Sequence, residues 1–221
     1  MDQQINHYNQ LEEFLNSSLQ SHQVLHITLK QNKIGDEVAS IISSALANCN
    51  NLQNLTLDLE GNQIGAIGAS GLGSALVNFT NLSNLALDLS RNFIGDEGTS
   101  GLGSALRNYT NLSNLKLDLG NNKIGVIGTS GLSTATALKN FTNLSNLTLN
   151  LIQNKIGSTG TSGLGSAIAN CTNLQNLTLN LGWNQVGDEG ISGLSSALAN
   201  CNKLSNLKVN LEQNQFICFG L

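Results

Sequence analysis

The sequence predicts an α/β solenoid, with a parallel sheet lining the concave face of an arc and helices on its convex face. Three observations predict it. A phrase of roughly 30 residues recurs along the chain, each copy opens on a strand-like alternation of leucine and polar residues, and each copy continues into a helix-like apolar stripe. The recurrence is read from one asparagine per copy, at Asn32, Asn62, Asn92, Asn122, Asn154, Asn184 and Asn214, spaced 30 residues apart apart from one step of 32. The longer step comes from segment 133–140, which carries two residues more than its counterpart 103–108. Units that cannot bury an apolar face alone bury it by stacking on their neighbours.

The chain begins with QQINHYNQLEEFLNSSL (3–19), where Ile5, Tyr8, Leu11, Phe14 and Leu15 stand at helical spacing. This predicts a helix within 1–20 that caps the first coil, a task terminal repeats must perform. Residues 21–221 follow as a solenoid of seven strands with six strand-to-strand helices. In one copy Leu55, Leu57 and Leu59 alternate with Thr56, Asp58 and Glu60, the period of a half-buried strand. From Gly68 to Asn78 the same copy sets Leu72, Ala75, Leu76 and then Phe79 at i, i+3, i+4 and i+7, one buried helical stripe. The Asn62 column predicts a buried carboxamide that donates to and accepts from the backbone of the turn leaving the strand. Gly65, Gly95 and Gly125, with Gly68, Gly98 and Gly128, fit positive-φ turning or close approach between coils. Cys49, Cys171 and Cys201 occupy the register of Phe79, Tyr109 and Phe141 and read as core residues. Equivalent positions in non-adjacent copies lie too far apart for a disulfide. At the far end Phe216 takes the register of Ile64 with no helix after it, which predicts an open apolar edge and a possible route to association.

The phrase N-L-x-N-L-x-L-x-L-x-x-N-x-I-G resembles the leucine-rich-repeat family, and within it the longer, helix-containing, ribonuclease-inhibitor-like class, over residues 22–216. The resemblance implies a non-catalytic scaffold that binds a protein or peptide on its concave face or lip. It also implies an alternative, the regulation of an enzyme as an inhibitor or a GTPase-activating protein. An activator of that kind supplies an arginine in trans, and the chain has two, Arg91 on the lip and Arg107 on an outer helix. A third reading is a spacer whose inner face binds nothing in particular.

Composition narrows these readings. A net charge of -4 with ten Lys and Arg spread over the chain argues against nucleic acid as a partner. No apolar run approaches the ~20 residues of a membrane span, and MDQQINHYNQ lacks the order of a signal peptide, so a cytoplasmic location is expected. Several Asn-x-Ser/Thr sequons, Asn54 and Asn176 among them, fall where the repeat needs close packing and leave no room for glycans. Catalysis finds no footing. His7, His22 and His26 all precede the second full repeat, with His22 in the Leu52 register, and no Ser or Cys is matched with a His and a carboxylate. Neither a metal nor a cofactor is expected, since there is no CxxC with a nearby His, and the Gly-x-Gly fragments lack the lysine of a phosphate loop.

In such a fold function rests on the letters that change. The middle inner-face column reads Thr28, Asp58, Asp88, Asp118, Asn150, Asn180, Asn210. Three carboxylates on successive strands stand about 4.8 Å apart and raise at least one pKa. They are either a subsite for a basic partner or a solvated face. Trp183, the single tryptophan, takes the lip position held elsewhere by Gly61, Arg91 and Asn121, one strand beyond Ile152. It is either a binding hot spot with Ile152 or a ring lying flat on its own coil. The candidate partner-binding residues are therefore Asp58, Asp88, Asp118, Ile152, Trp183 and Arg91.

Overall fold

A computed structural model describes residues 5–106, 109–133, 141 and 143–215 of the chain. Arg107, Phe216 and all of the 133–140 segment except Ser133 lie outside the described residues, and with them the expectations placed on the insertion and on the final apolar edge.

The order is β1 (Ile5–Tyr8), α1 (Leu11–Leu15), a 3-10 turn (Leu19–Ser21), β2 (Val24–Thr28), α2 (Asp36–Leu46), β3 (Asn54–Asp58), α3 (Ala66–Leu76), β4 (Asn84–Asp88) and α4 (Gly95–Leu106). It continues through β5 (Asn114–Asp118), α5 (Val126–Ser133), β6 (Asn146–Asn150), α6 (Gly157–Ile168), β7 (Asn176–Asn180), α7 (Gly187–Leu198) and β8 (Asn206–Asn210). All eight strands form one sheet in sequence order, every pair parallel. From β2 onward each residue pairs with its equivalent in the next copy, Asp58 with Asp88 and Asp88 with Asp118. Such registration puts each column of the sequence into a straight row across the concave face.

The leucines of the strands point inward. Leu55, Leu57 and Leu59 are buried with the Ile64 column behind the turn and with Leu72 and Leu76 from the helix. Cys49, Phe79, Tyr109, Phe141 and Cys171 fill one buried row at the helix ends, as their shared register predicts. Burial pushes the Cys49 and Cys171 thiols up to about 12, so they stay protonated core groups. The Tyr109 hydroxyl stays satisfied in that row by donating to the Leu76 carbonyl at 2.6 Å.

The expected carboxamide column holds consecutive coils together. Asn62 Oδ1 accepts the amides of Asn32 and Ile34 at 2.9 and 3.0 Å, while Nδ2 donates to the carbonyls of Leu29 and Leu59, both at 2.9 Å. Asn154 repeats the pattern on Asn122, Ile124, Leu119 and Leu151. A second link was not foreseen. Asp36 Oδ1 accepts the Gly65 and Gly68 amides of the next coil, and Asp96 does the same for Gly125 and Gly128. The orphan N–H groups at the start of α3 and α5 are thus satisfied by the preceding repeat, where a carboxylate also favours the positive end of the helix. This separates the glycines. Gly95 takes a φ of +60°, whereas Gly65 has a φ of -97°. At Gly68 the reason is close approach, for a Cβ there would sit 2.6 Å from Asp36 Oδ1. Close approach also explains GLGSAL, since a Cβ on Gly103 would lie 2.4 Å from the Gly131 carbonyl oxygen of the neighbouring helix.

The capping helix expected over the N-terminus is corrected. Residues 5–8 are a strand, and only Leu11–Leu15 are helical. The i, i+3 spacing of Ile5, Tyr8 and Leu11 imitates a helix, but the open parallel edge of β2 needs backbone partners that only a strand supplies. β1 supplies them, and Tyr8 then packs on Phe14 with ring centroids 5.8 Å apart. No helix among the described residues is long and apolar enough to cross a membrane.

Two stability outcomes follow from this packing. Asn154→Leu is expected to cost about 4 kcal/mol, because four buried backbone groups lose their partner at once. Gly103→Ala is expected to cost about 2 kcal/mol or more, while Gly163→Ala, whose Cβ meets nothing within 4 Å in α6, gains about 0.5–1 kcal/mol from helix propensity. Urea unfolding followed by circular dichroism measures all three.

Candidate functional site

The row Asp58, Asp88, Asp118, Asn150, Asn180, Asn210 closes each strand with the same local bond. The side-chain oxygen accepts the amide two residues on, from Glu60 at 3.2 Å, Ser90 at 3.0 Å, Gly120 at 3.0 Å, Ile152 at 3.1 Å, Gly182 at 3.2 Å and Glu212 at 2.9 Å. These are Asx turns, which Asp and Asn make equally well. The restriction of the column to those two residues from β3 onward is therefore structural, and what varies along it there is charge.

The carboxylates differ in what occupies their remaining lone pairs. Asp58 Oδ2 meets Lys30 Nζ at 2.9 Å, and the same ammonium reaches Glu60 at 3.3 Å. Both hydrogen bonds raise the Lys30 pKa, Asp58 the more strongly. Asp118 Oδ2 accepts Asn150 Nδ2 at 2.8 Å. Asp88, between them, places both Ser90 donors on Oδ1, the hydroxyl at 2.7 Å, and its Oδ2 has no hydrogen bond among the described residues. Burial raises the Asp88 pKa, the two Ser90 bonds oppose that, and the charges of Asp118 and Asp58 push it further up. Lys116 shares a small cleft with Asp58 and Asp88 and forms no ion pair with either. Among the described residues, Asp58, Glu60 and Asp88 are the set able to offer three oxygens to a metal, within 4.8 Å of one another. The Lys30 ammonium already lies against two of them.

Beside Asp88 opens a hollow of about 310 Å³ on the lip, lined by Glu60, Asp88, Arg91, Asp118 and Ile152 among others. Ile152 lies across the third column, where a Cβ on Gly120 would meet its Cγ2 at 2.9 Å and one on Gly182 its Cγ1 at 3.4 Å. Two glycines thus leave the space this side chain fills. Arg91 is two-thirds exposed and 3.8 Å from Glu60. The structure therefore brings Asp88, Asp118, Arg91 and Ile152 to one hollow, while Asp58 is engaged one strand away by Lys30. Trp183 is not part of the lining. It stands 52% exposed at the lip with a φ of +59°, in a column that is left-handed from Gln31 to Gln213.

A further row was missed. Asn54, Asn84, Asn114, Asn146, Asn176 and Asn206 open the strands, and from Asn84 onward each Nδ2 donates to the Oδ1 of the preceding copy, the last at 2.6 Å. The signal for it was available: an invariant polar residue on the inner face at the start of every strand from β3. This amide ladder borders a shallow depression of about 390 Å³ floored by Thr56 and Ala86, with His26 and Lys116 on either side.

A family model described as "Leucine Rich repeat" matches residues 51–73, 85–103 and 173–195. These spans cover β3, β7 and all of β4 but Asn84, with the strand-to-helix segments of the copies that contain Asn62, Asn92 and Asn184. The chain is a leucine-rich-repeat protein. Among solved structures, "Leiomodin-1 Actin-Binding Site 2 (ABS2)" is similar in fold to this leucine-rich-repeat chain, with a TM-score of 0.52 at 15% identity, covering 73% of this chain and 88% of its own. No curated protein matches the sequence.

Trp183 pays a conformational cost at the lip. Bulky residues with positive φ are outliers, at about 1–2 kcal/mol, and Asn121 and Gly61 hold the equivalent position in their repeats. Trp183→Asn is expected to raise the free energy of unfolding by about 1 kcal/mol, measured by urea titration at neutral pH.

Proposed function

We propose that this leucine-rich-repeat chain is a non-catalytic protein-interaction scaffold. It takes a segment of a protein partner across its concave face and lip, with a lysine or arginine of that segment over Asp88 and Asp118. The observation that carries this reading is the Asp88 carboxylate, half-desolvated, with one oxygen unbonded, between neighbours already engaged by Lys30 and Asn150. A cationic side chain placed there supplies the counter-charge that the burial of Asp88 lacks. Ile152 offers an apolar wall to the aliphatic stem, and such stems bury well against hydrocarbon while the charge is held at the tip. The half-exposed Trp183 ring supports a second contact on the lip, because tryptophan is enriched among the residues that dominate binding energy. That leiomodin-1 uses this architecture at an actin-binding site supports the class of function and carries no partner over. The protonated thiols of Cys49 and Cys171 fit the cytoplasmic setting that is part of this proposal.

Selection from a phage-displayed random peptide library tests the reading. Binders to the intact chain are expected to be enriched in Lys and Arg, and Asp88→Asn is expected to weaken them about tenfold or more. The variant keeps its Asx turn, as Asn150 does at the same position, so the fold is not the cause. It also removes a carboxylate whose raised pKa makes its ionised form unfavourable in the folded state at neutral pH, so stability is not expected to fall. Affinity for the intact chain is expected to drop as pH falls through the raised Asp88 pKa, because the proton and the partner's cation compete for one carboxylate. Binders without basic residues, or equal affinity for Asp88→Asn, would overturn the proposal.

A further inference from the structure

The N-terminal cap contains a buried histidine whose chemistry differs from that of every other residue in its column. His22 stands where Leu52, Leu82, Leu112, Leu144, Leu174 and Leu204 stand in the later copies. Its ring is 2% exposed and meets the Tyr8 ring edge-on at 5.7 Å. The hydrogen bonds fix its tautomer. Ser17 Oγ has one proton and donates it to the Phe14 carbonyl at 2.6 Å, so at 3.0 Å from His22 Nε2 it acts as the acceptor. The proton of the neutral ring is therefore on Nε2, and Nδ1 is a buried lone pair with no hydrogen-bond partner. Protonation would create at Nδ1 a buried N–H with no acceptor and a positive charge with no counter-ion, both costly.

No opposite charge offsets this among the described residues. β1 brings the Tyr8 phenol and His7, and the His7 ring faces His26 of β2 at 6.1 Å. α1 brings Glu12 and Glu13, both on its exposed side. The segment after α2 brings the Cys49 thiol, buried and protonated. None of these forms an ion pair with the ring, and burial alone lowers the His22 pKa.

The elements that close over His22 have little stability of their own. α1 is five residues long with no side-chain cap, far short of the ~12 residues an isolated helix needs. β1 is a four-residue edge strand, and the Tyr8–Phe14 contact that joins it to α1 lies directly against His22.

We propose that His22 makes residues 5–21 an acid-released latch: protonation of its ring opens the cap from β2 and uncovers the β2 edge and Phe14. The closed cap holds the ring neutral, whereas in the open cap the ring titrates near the ordinary value of about 6.5. The open state thus binds more protons as pH falls below that value. The opening constant grows by up to about tenfold per pH unit until the depressed pKa of the closed state is reached. This is a regulatory device in the fold, independent of the site around Asp88.

Native-state hydrogen exchange on the full chain tests it, with the Asn6–Tyr8 amides compared with those of β4 and rates corrected for intrinsic pH dependence. Between pH 7.5 and 5.5 the opening constant of β1 is expected to rise, by up to about tenfold, while that of β4 stays flat. His22→Leu, the residue of the column elsewhere, is expected to abolish the rise, and His7→Gln with His26→Gln to leave it intact. Nitrogen NMR of the wild-type imidazole gives a second readout that survives if His22→Leu disturbs the cap: an Nε2–H tautomer that titrates below 6.5 is expected. A pH-independent β1, a rise that persists in His22→Leu, or an Nδ1–H tautomer would each overturn the latch.

Discussion

Each coil of this protein is held to the next by a buried carboxamide, and the other features of the structure depend on that grip. A parallel strand leaves its sheet through a turn whose amides and carbonyls have no ladder partner. The Asn62 column fills that gap with two accepted bonds and one donated bond that reach back to the preceding coil, and a second donated bond to the exit of its own strand. The cost of leaving those groups unpaired in a dry interior locks successive coils into one register. Register in turn converts sequence columns into rows: the leucines into a continuous core, the Asn54 column into an amide ladder, and the Asp and Asn column into a line of strand-ending turns.

The candidate site is built from a residue that the fold already uses. Each Asp or Asn of the middle row spends one oxygen on the turn that ends its strand, so the scaffold accepts either residue at every position. The second oxygen or nitrogen is free to vary in charge and partner. Asp58 meets Lys30, Asp118 meets Asn150, and Asp88 is the one whose second oxygen goes unbonded among the described residues. A repeat protein can thereby rewrite its binding surface without disturbing its packing. Trp183 shows the opposite case, a side chain that the left-handed lip tolerates poorly.

Legibility followed the same division. The strand alternation of Leu55, Leu57 and Leu59, the helical stripe of Leu72 and Leu76, and the buried role of Asn62 were all readable, because each is set by local geometry repeated in every copy. The N-terminus was misread because Ile5, Tyr8 and Leu11 satisfy a helical period, while the deciding interaction, the unpaired edge of β2, lies outside the segment. The Asp row was readable as a row of charges about 4.8 Å apart, but its Asx turns were overlooked, and so was the pairing of Lys30 with Asp58 across two strands. The sequence did not show that Ile152 shares a hollow with Asp88, Asp118 and Arg91, because that depends on Gly120 and Gly182 letting Ile152 lie across the third column.

The sequence by itself determined that this is a solenoid of leucine-rich repeats, which columns are buried, and where three carboxylates stand on neighbouring strands. Those follow from periodicity, and periodicity is a property of the chain alone. Only the tertiary structure decided which carboxylate keeps an unbonded oxygen among the described residues, which proton His22 carries, and which helix ends the Asp36 and Asp96 carboxylates satisfy. Each of these depends on side chains contributed by a different element, brought within hydrogen-bond distance only when the coils close on one another.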